Sequence, residues 1–245
     1  MKRLFSFFML ALFISCSISL FGNIAQAKPA FEQYGKIVDA DFVSQYAVTP
    51  KRKDVMIIDA RPTRKYDKGH IVPAINITFS KIEQSIALLP EDKSTLLIYY
   101  CGGLKCPLSH KSAFRVEKLG YTNIAVYAAG YPDWLKHGKI PGVSTTHVKK
   151  LIDKKANAVI IDARPARKYK KGHVPTAISI PYSKFDQMLG QLPTDKGKLI
   201  LYYCGGYRCP LSSKSAVKAI EQGYTNVKLY QAGWPAWKAA YGIVK

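Results

Sequence analysis

A chain that matches itself at one fixed offset has to build the same folded unit twice. Shifted by 103 positions, residues 55–138 align with 158–241 without a gap, and 44 of the 84 paired positions are identical. A solenoid would repeat every 20 to 50 residues or so, which makes two tandem copies of a single domain the expectation. The stretch from Gly138 to Thr146, GKIPGVSTT, carries the Gly and Pro of a linker. We therefore expect domains at 28–140 and 141–245, preceded by a segment of another kind.

That segment is the front of the chain. Lys2 and Arg3 precede an apolar run from Leu4 to Phe21, and Ala25-Gln26-Ala27 supplies the small residues of a cleavage site, so 1–27 reads as a secretory signal. A retained membrane anchor, or lipid attachment at Cys16 within Phe13-Ile14-Ser15-Cys16, fits the flanks less well. Export, most naturally to a periplasm, is the expectation. Removing the signal leaves 218 residues, four cysteines and a net charge of +19. Two units of about 100 residues can each bury a core without disulfide staples, so an oxidising compartment does not by itself account for the cysteines. The lysines are scattered through both halves with no nucleic-acid-binding motif among them. Such a surface suits small anions, an acidic redox partner or a negatively charged envelope, not nucleic acid.

Within each copy, short β-branched runs alternate with helical stretches. VMIIDA and AVIIDA, TLLIYYC and KLILYYC, IAVYAAG and VKLYQAG read as strands. SKIEQSIALLP, with a cap-like Ser80, and PLSHKSAFRVEKLG, with Pro107 near its start and Gly120 past its end, read as helices. The fold class is α/β: two tandem domains, each a mainly parallel sheet flanked by helices. Function in such sheets sits beyond the carboxyl ends of the strands.

The loops found there are YYCGGLKCPLS at 99–109 and YYCGGYRCPLS at 202–212. Cys101 and Cys204 end a strand, and the residues after them run into a helix. Gly102, Gly103 and Leu104, like Gly205, Gly206 and Tyr207, form a loop able to turn backbone N–H groups inward as an anion cradle. The helix N-terminus and the cations of Lys105 and Arg208 should lower the pKa of Cys101 and Cys204. A thiolate in such a cradle suits attack on a sulfane sulfur and retention of a persulfide anion.

On these residues the chain resembles the rhodanese (sulfurtransferase) family. IIDARPTRKYDKGH and IIDARPARKYKKGH look like its first strand and Gly-His segment, YYC with its loop like its active-site loop, and GYTNIAVYAAGYPDW and GYTNVKLYQAGWPAW like its last strand and Trp helix. The resemblance implies that Cys101 and Cys204 are persulfide-forming nucleophiles, and that Gly102–Lys105 and Gly205–Arg208 bind substrate. The loop is one residue shorter than in the family's phosphatase relatives, as in its sulfur-handling members. The implied donor is thiosulfate, polysulfide or a related small anion. The implied acceptor is cyanide, a thiol or a protein, and no cofactor is called for.

Two features depart from the family pattern. Many rhodaneses close the loop with arginine or another polar residue, where this chain has Cys106 and Cys209; and the better-known tandem enzymes keep a cysteine only in the C-terminal domain. As resolving thiols, Cys106 and Cys209 would attack the neighbouring persulfide, release sulfide and leave a disulfide, given Cα atoms about 4.4–6.8 Å apart. They also suit small buried sites beneath a helix start. A four-thiolate zinc site would need the two loops face to face. A dithiol/disulfide redox protein and a sulfur carrier that loads without turnover stay open as alternatives.

Other repeated residues read as structural. Asp59 with Arg61, and Asp162 with Arg164, suit an ion pair fastening loops. His70 and His173 suit a capping or core-edge hydrogen bond at least as well as a base. Trp134 and Trp237 suit core anchors. His110 is replaced by Ser213 in the second copy, so no shared mechanism depends on it.

Overall fold

The computed structural model describes residues 30–243. The signal segment and Cys16 lie outside the described residues. Each copy builds a four-stranded, wholly parallel sheet. In the first, β1 (Val55–Asp59), β2 (Ile75–Asn76), β3 (Leu96–Tyr100) and β4 (Ile124–Tyr127) lie in the order β2-β1-β3-β4. In the second, β5 (Ala158–Asp162), β6 (Ile178–Ser179), β7 (Leu199–Tyr203) and β8 (Val227–Tyr230) repeat that order as β6-β5-β7-β8.

The central strands are apolar throughout because both faces are covered. Every residue of β3 is buried. Side chains alternate across a strand, and accordingly Leu97 and Tyr99 join the core beneath α3 (Leu108–Glu117), while Leu96, Ile98 and Tyr100 join the opposite core. That second core is closed by α1 (Ala40–Ser44) and by Trp134 of α4 (Gly130–Lys136). The second domain divides its strands the same way. Ile200 and Tyr202 pack under α7 (Leu211–Glu221), and Leu201 and Tyr203 pack with Val148 of α5 (Thr145–Asp153) and Trp237 of α8 (Gly233–Tyr241). Both tryptophans are core anchors, as the sequence suggests.

The stretch after Ser80 departs from expectation. It forms two 3-10 segments, Phe79–Lys81 and Glu83–Leu88, entered from Thr78, so Ser80 caps nothing. Ile82 and Leu89 are buried, whereas Ile86 and Leu88 are exposed, which leaves no apolar stripe at the α-helical period. In the second copy Met188 leaves the helical region altogether and kinks the chain.

The linker is pinned between the domains. Gly142 pairs with His70 on one side and Leu229 on the other, and Val72 reaches into the second domain's core. The tip of the second cysteine loop also touches the first domain. Lys51 N–H donates to the Tyr207 carbonyl at 3.2 Å. Leu104, the matching residue of the first loop, is 56% exposed, so the two loops sit in unequal surroundings.

Candidate active site

Each cysteine loop leaves a parallel strand at its carboxyl end and enters a helix preceded by proline, as expected. Gly103 and Gly206 take φ of +113° and +94°, backbone that side chains rarely adopt, and Cys106 and Cys209 N–H donate back to their carbonyls at 2.8 and 2.9 Å. The chain after β4 closes the loop from above. Tyr131 N–H donates to the Cys101 carbonyl at 3.1 Å, and Trp234 N–H to that of Cys204 at 3.0 Å. This approach needs the glycine before each: a Cβ on Gly130 (φ +63°) would sit 2.5 Å from the Cys101 carbonyl oxygen.

Inside this frame the two thiols of each loop are not equivalent. Cys101 and Cys204 are fully buried. Cys101 Sγ lies 3.1 Å from the Cys106 carbonyl oxygen and 3.2 Å from Ser109 Oγ; in the second loop Cys204 Sγ has the same partners, the Cys209 carbonyl and Ser212 Oγ, at 2.9 and 3.2 Å. A carbonyl oxygen can only accept, so each inner sulfur is placed as a donor and keeps its proton. Beside Cys106 the Gly102 and Leu108 N–H groups favour the thiolate, as those of Gly205 and Leu211 do beside Cys209.

The acidities follow this arrangement and correct the expectation that the inner thiols are the acidic ones. Cys101 is pushed well up, first by its hydrogen bond with Cys106 and then by burial; Cys204 is pushed up in the same way by Cys209. Cys106 and Cys209 are lowered to about 6, chiefly by the protonated inner thiol beside them and further by the backbone N–H groups of the loop. Arg61 adds to the lowering at Cys106. With a carbonyl against the inner sulfur and a cleft of arginine and lysines in front of the outer cysteine, the negative charge of each pair is favoured on the outer sulfur.

A basic cleft opens in front of each outer thiol. The first, of about 430 Å³, is lined by Arg61, Lys65, Lys68, Gly102, Cys106 and Tyr131, among others. The second, of about 470 Å³, is lined by Arg164, Lys168, Lys171, Gly205, Cys209 and Trp234, with Lys238 added. Neither lining includes Cys101 or Cys204. Lys105 and Arg208 are exposed and lie outside the linings, as do Leu104 and Tyr207. The cations that face the thiol come from the segment after the first strand: Lys65 and Lys68 on or ending α2 (Thr63–Lys68), Lys168 on α6 (Ala166–Tyr169), and Lys171 just beyond it. Sequence reasoning missed them, although Arg-Lys-Tyr-x-Lys-Gly-His recurs intact in both copies.

Arg61 and Arg164 hold the cleft wall. Arg61 Nε lies 2.9 Å from Asp59 Oδ1 and Nη2 lies 2.6 Å from Oδ2, and Nη2 also donates to the Gly69 carbonyl at 2.6 Å. Arg164 repeats this with Asp162 and Gly172. The pairing expected from sequence is present, with a guanidinium edge left on the cleft. His70 and His173 stack on Tyr66 and Tyr169 at 4.0 and 3.8 Å, their Nδ1 atoms near the same residues' carbonyls. They are core-edge residues, and burial lowers His70 to about 4. His110 serves the first copy alone: Nδ1 accepts the Tyr34 N–H at 3.0 Å.

A larger cavity of about 620 Å³ lies between the domains, lined by Trp134, Lys139, Tyr182 and Lys214, and holds no thiol. Among the described residues no three His, Cys, Asp or Glu side chains gather as a metal site.

Two parallel sheets of the same strand order, each ending in a strand–thiol–glycine loop under a buried aspartate–arginine pair, define one class of domain. The rhodanese-like domain model matches residues 42–137 and 144–240, and the chain belongs to that family. It is similar to thiosulfate sulfurtransferase GlpE of Pseudoalteromonas translucida, 29% identical over 100 residues that cover 40% of this chain and 90% of the relative. It is also similar to the HTH-type transcriptional regulator Rv0324 of Mycobacterium tuberculosis, 32% identical over 81 residues. That match covers 33% of this chain, which spans only 34% of the regulator's length. A solved thiosulfate sulfurtransferase from Pseudomonas aeruginosa aligns with 84% of this chain and 42% of its own, at 20% identity and a TM-score of 0.39.

Proposed function

We propose that this protein is a rhodanese-type sulfurtransferase, exported to the periplasm, that takes sulfane sulfur from a small anionic donor and passes it to a thiophilic acceptor. The observation that carries the reading is the paired thiol at the foot of a cationic cleft, present in both domains. The outer sulfur is ionised near neutral pH, and two lysines beside it favour a dianion such as thiosulfate or polysulfide. The GlpE relatives, named thiosulfate sulfurtransferases, support the same donor class.

In this reading the donor's terminal sulfur is transferred to a loop thiolate, with sulfite or a shortened polysulfide leaving through the cleft. Cys101 and Cys204 hold the sulfur as persulfide. Their burial keeps water and stray oxidants from it, and the Ser109 and Ser212 hydroxyls stand ready to donate to its charge. A thiol, cyanide or a protein cysteine then removes it. The C101S/C204S double variant tests the assignment: multiple turnover with thiosulfate and cyanide is expected to vanish, and retained turnover contradicts it.

A dithiol/disulfide redox role is the second reading, favoured by the hydrogen bond that each inner thiol makes to the carbonyl of its partner cysteine. Both pairs are free thiols in the structure.

A further inference from the structure

The geometry points to Cys106 and Cys209, not the cysteines that end the strands, as the thiols that meet the sulfur donor, each handing the sulfur inward to Cys101 or Cys204. The inference deepens the sulfurtransferase reading and rests on it.

Three features of each loop carry it. Cys106 and Cys209 line the basic clefts, whereas Cys101 and Cys204 have no exposed surface and line neither. Each inner sulfur faces a carbonyl oxygen that holds it as a thiol, and that carbonyl belongs to the outer cysteine itself. Each outer cysteine shares its cleft with an arginine and two lysines, Arg61, Lys65 and Lys68 or Arg164, Lys168 and Lys171, which favour a thiolate there. All three recur in both copies, although the loop tips are in unequal surroundings, one open and one against the neighbouring domain.

The chemistry balances without any further reagent. The Cys106 thiolate attacks the terminal sulfur of thiosulfate; the Cys106–sulfur bond forms, the sulfur–sulfur bond of thiosulfate breaks, and sulfite leaves with the electron pair. The product is Cys106–S–S⁻. Cys101 then attacks the outer sulfur of that persulfide. Its proton passes to Cys106, which departs as a thiol, and Cys101–S–S⁻ results with no net oxidation of either cysteine. The second domain repeats both steps with Cys209 and Cys204.

Sulfur loading of reduced variants, read by sulfite release and by peptide mass, separates the possibilities. C101S/C204S treated with thiosulfate is expected to release sulfite once per domain and carry the added sulfur on Cys106 and Cys209. C106S/C209S is expected to lose at least tenfold in the rate of that first release. Full-rate release from C106S/C209S with sulfur on Cys101 and Cys204 overturns the inference while leaving the sulfurtransferase reading intact; absence of sulfur on any variant and on the wild type overturns the reading. Folding of the variants does not enter a companion measurement on the wild type, brief iodoacetamide treatment at pH 7 with peptide mapping. Cys106 and Cys209 are expected to be modified at least tenfold faster than Cys101 and Cys204, and the reverse order overturns the inference.

Discussion

Cys204 Sγ lies 2.9 Å from the carbonyl oxygen of Cys209, and its counterpart Cys101 lies 3.1 Å from that of Cys106. One residue of each pair thus determines the protonation of the other through its backbone while presenting its own sulfur to the cleft. A pH profile follows. Alkylation of Cys106 and Cys209 is expected to rise through a pH of about 6 and level off above it, far below the ordinary thiol range near 8.5. The groups that set this at Cys106 are Cys101, the loop N–H donors and Arg61, with Lys65 and Lys68 on the same cleft. A profile centred above 8 at both outer cysteines counts against the assigned charge distribution.

Arg61 is the partner of a carboxylate with no exposed surface. Arg61→Ala leaves Asp59 charged or forces it to take a proton, and breaking a buried pair in this way costs about 3–5 kcal/mol. Denaturant unfolding of the first domain should register that loss. Arg61→Lys keeps the charge without the two-point grip and should recover only part of it. Stability unchanged in Arg61→Ala rules out the pair as a fastening of the loops.

Gly130 brings the last helix close over the cysteine loop. Gly130→Ala has to move either the Cys101 carbonyl or the helix start, on top of a positive φ that costs about 1–3 kcal/mol in strain. The first domain should lose sulfur loading while the second, with Gly233 intact, keeps it. Mass spectrometry of the two loops in one sample reads this directly, and equal loading of both contradicts the close approach.

His70 gives the acid side of stability. Its pKa is lowered to about 4 in the folded chain against about 6.5 unfolded, so the unfolded state binds the extra proton between those values. Stability from this group is complete above pH 6.5 and is lost as pH falls towards 4, by at most about 3 kcal/mol. His70→Gln should flatten that part of the unfolding profile. An unaltered profile in the variant shows that another group titrates there.

The chain made its architecture legible because that depends on local pattern. The β-branched runs at 55–59, 96–100 and 124–127 and the Pro107-to-Gly120 helix appear where their composition places them. Strand Ile75–Asn76 has two residues, too few for any periodicity. The 80–90 stretch misleads because isolated apolar residues over one or two turns fit 3-10 and α geometry alike. At the site, the cysteines and glycines were visible in the loop itself, whereas Arg61, Lys65 and Lys68 reach the cleft only because β1, which they follow, pairs with β3, which the loop follows. Which sulfur of a pair is ionised depends on a carbonyl facing one thiol and a basic cleft in front of the other, and spacing carries no record of that.

The persulfide reading is tested most directly by non-reducing intact mass of the reduced protein, with peptide mapping, before and after exposure to thiosulfate and to polysulfide. The account predicts a gain of one sulfur atom per domain, located on Cys101 and Cys204 once transfer is complete. Loss of hydrogens with Cys101 joined to Cys106 and Cys204 to Cys209, and no sulfur retained, contradicts it and leaves the redox reading in its place.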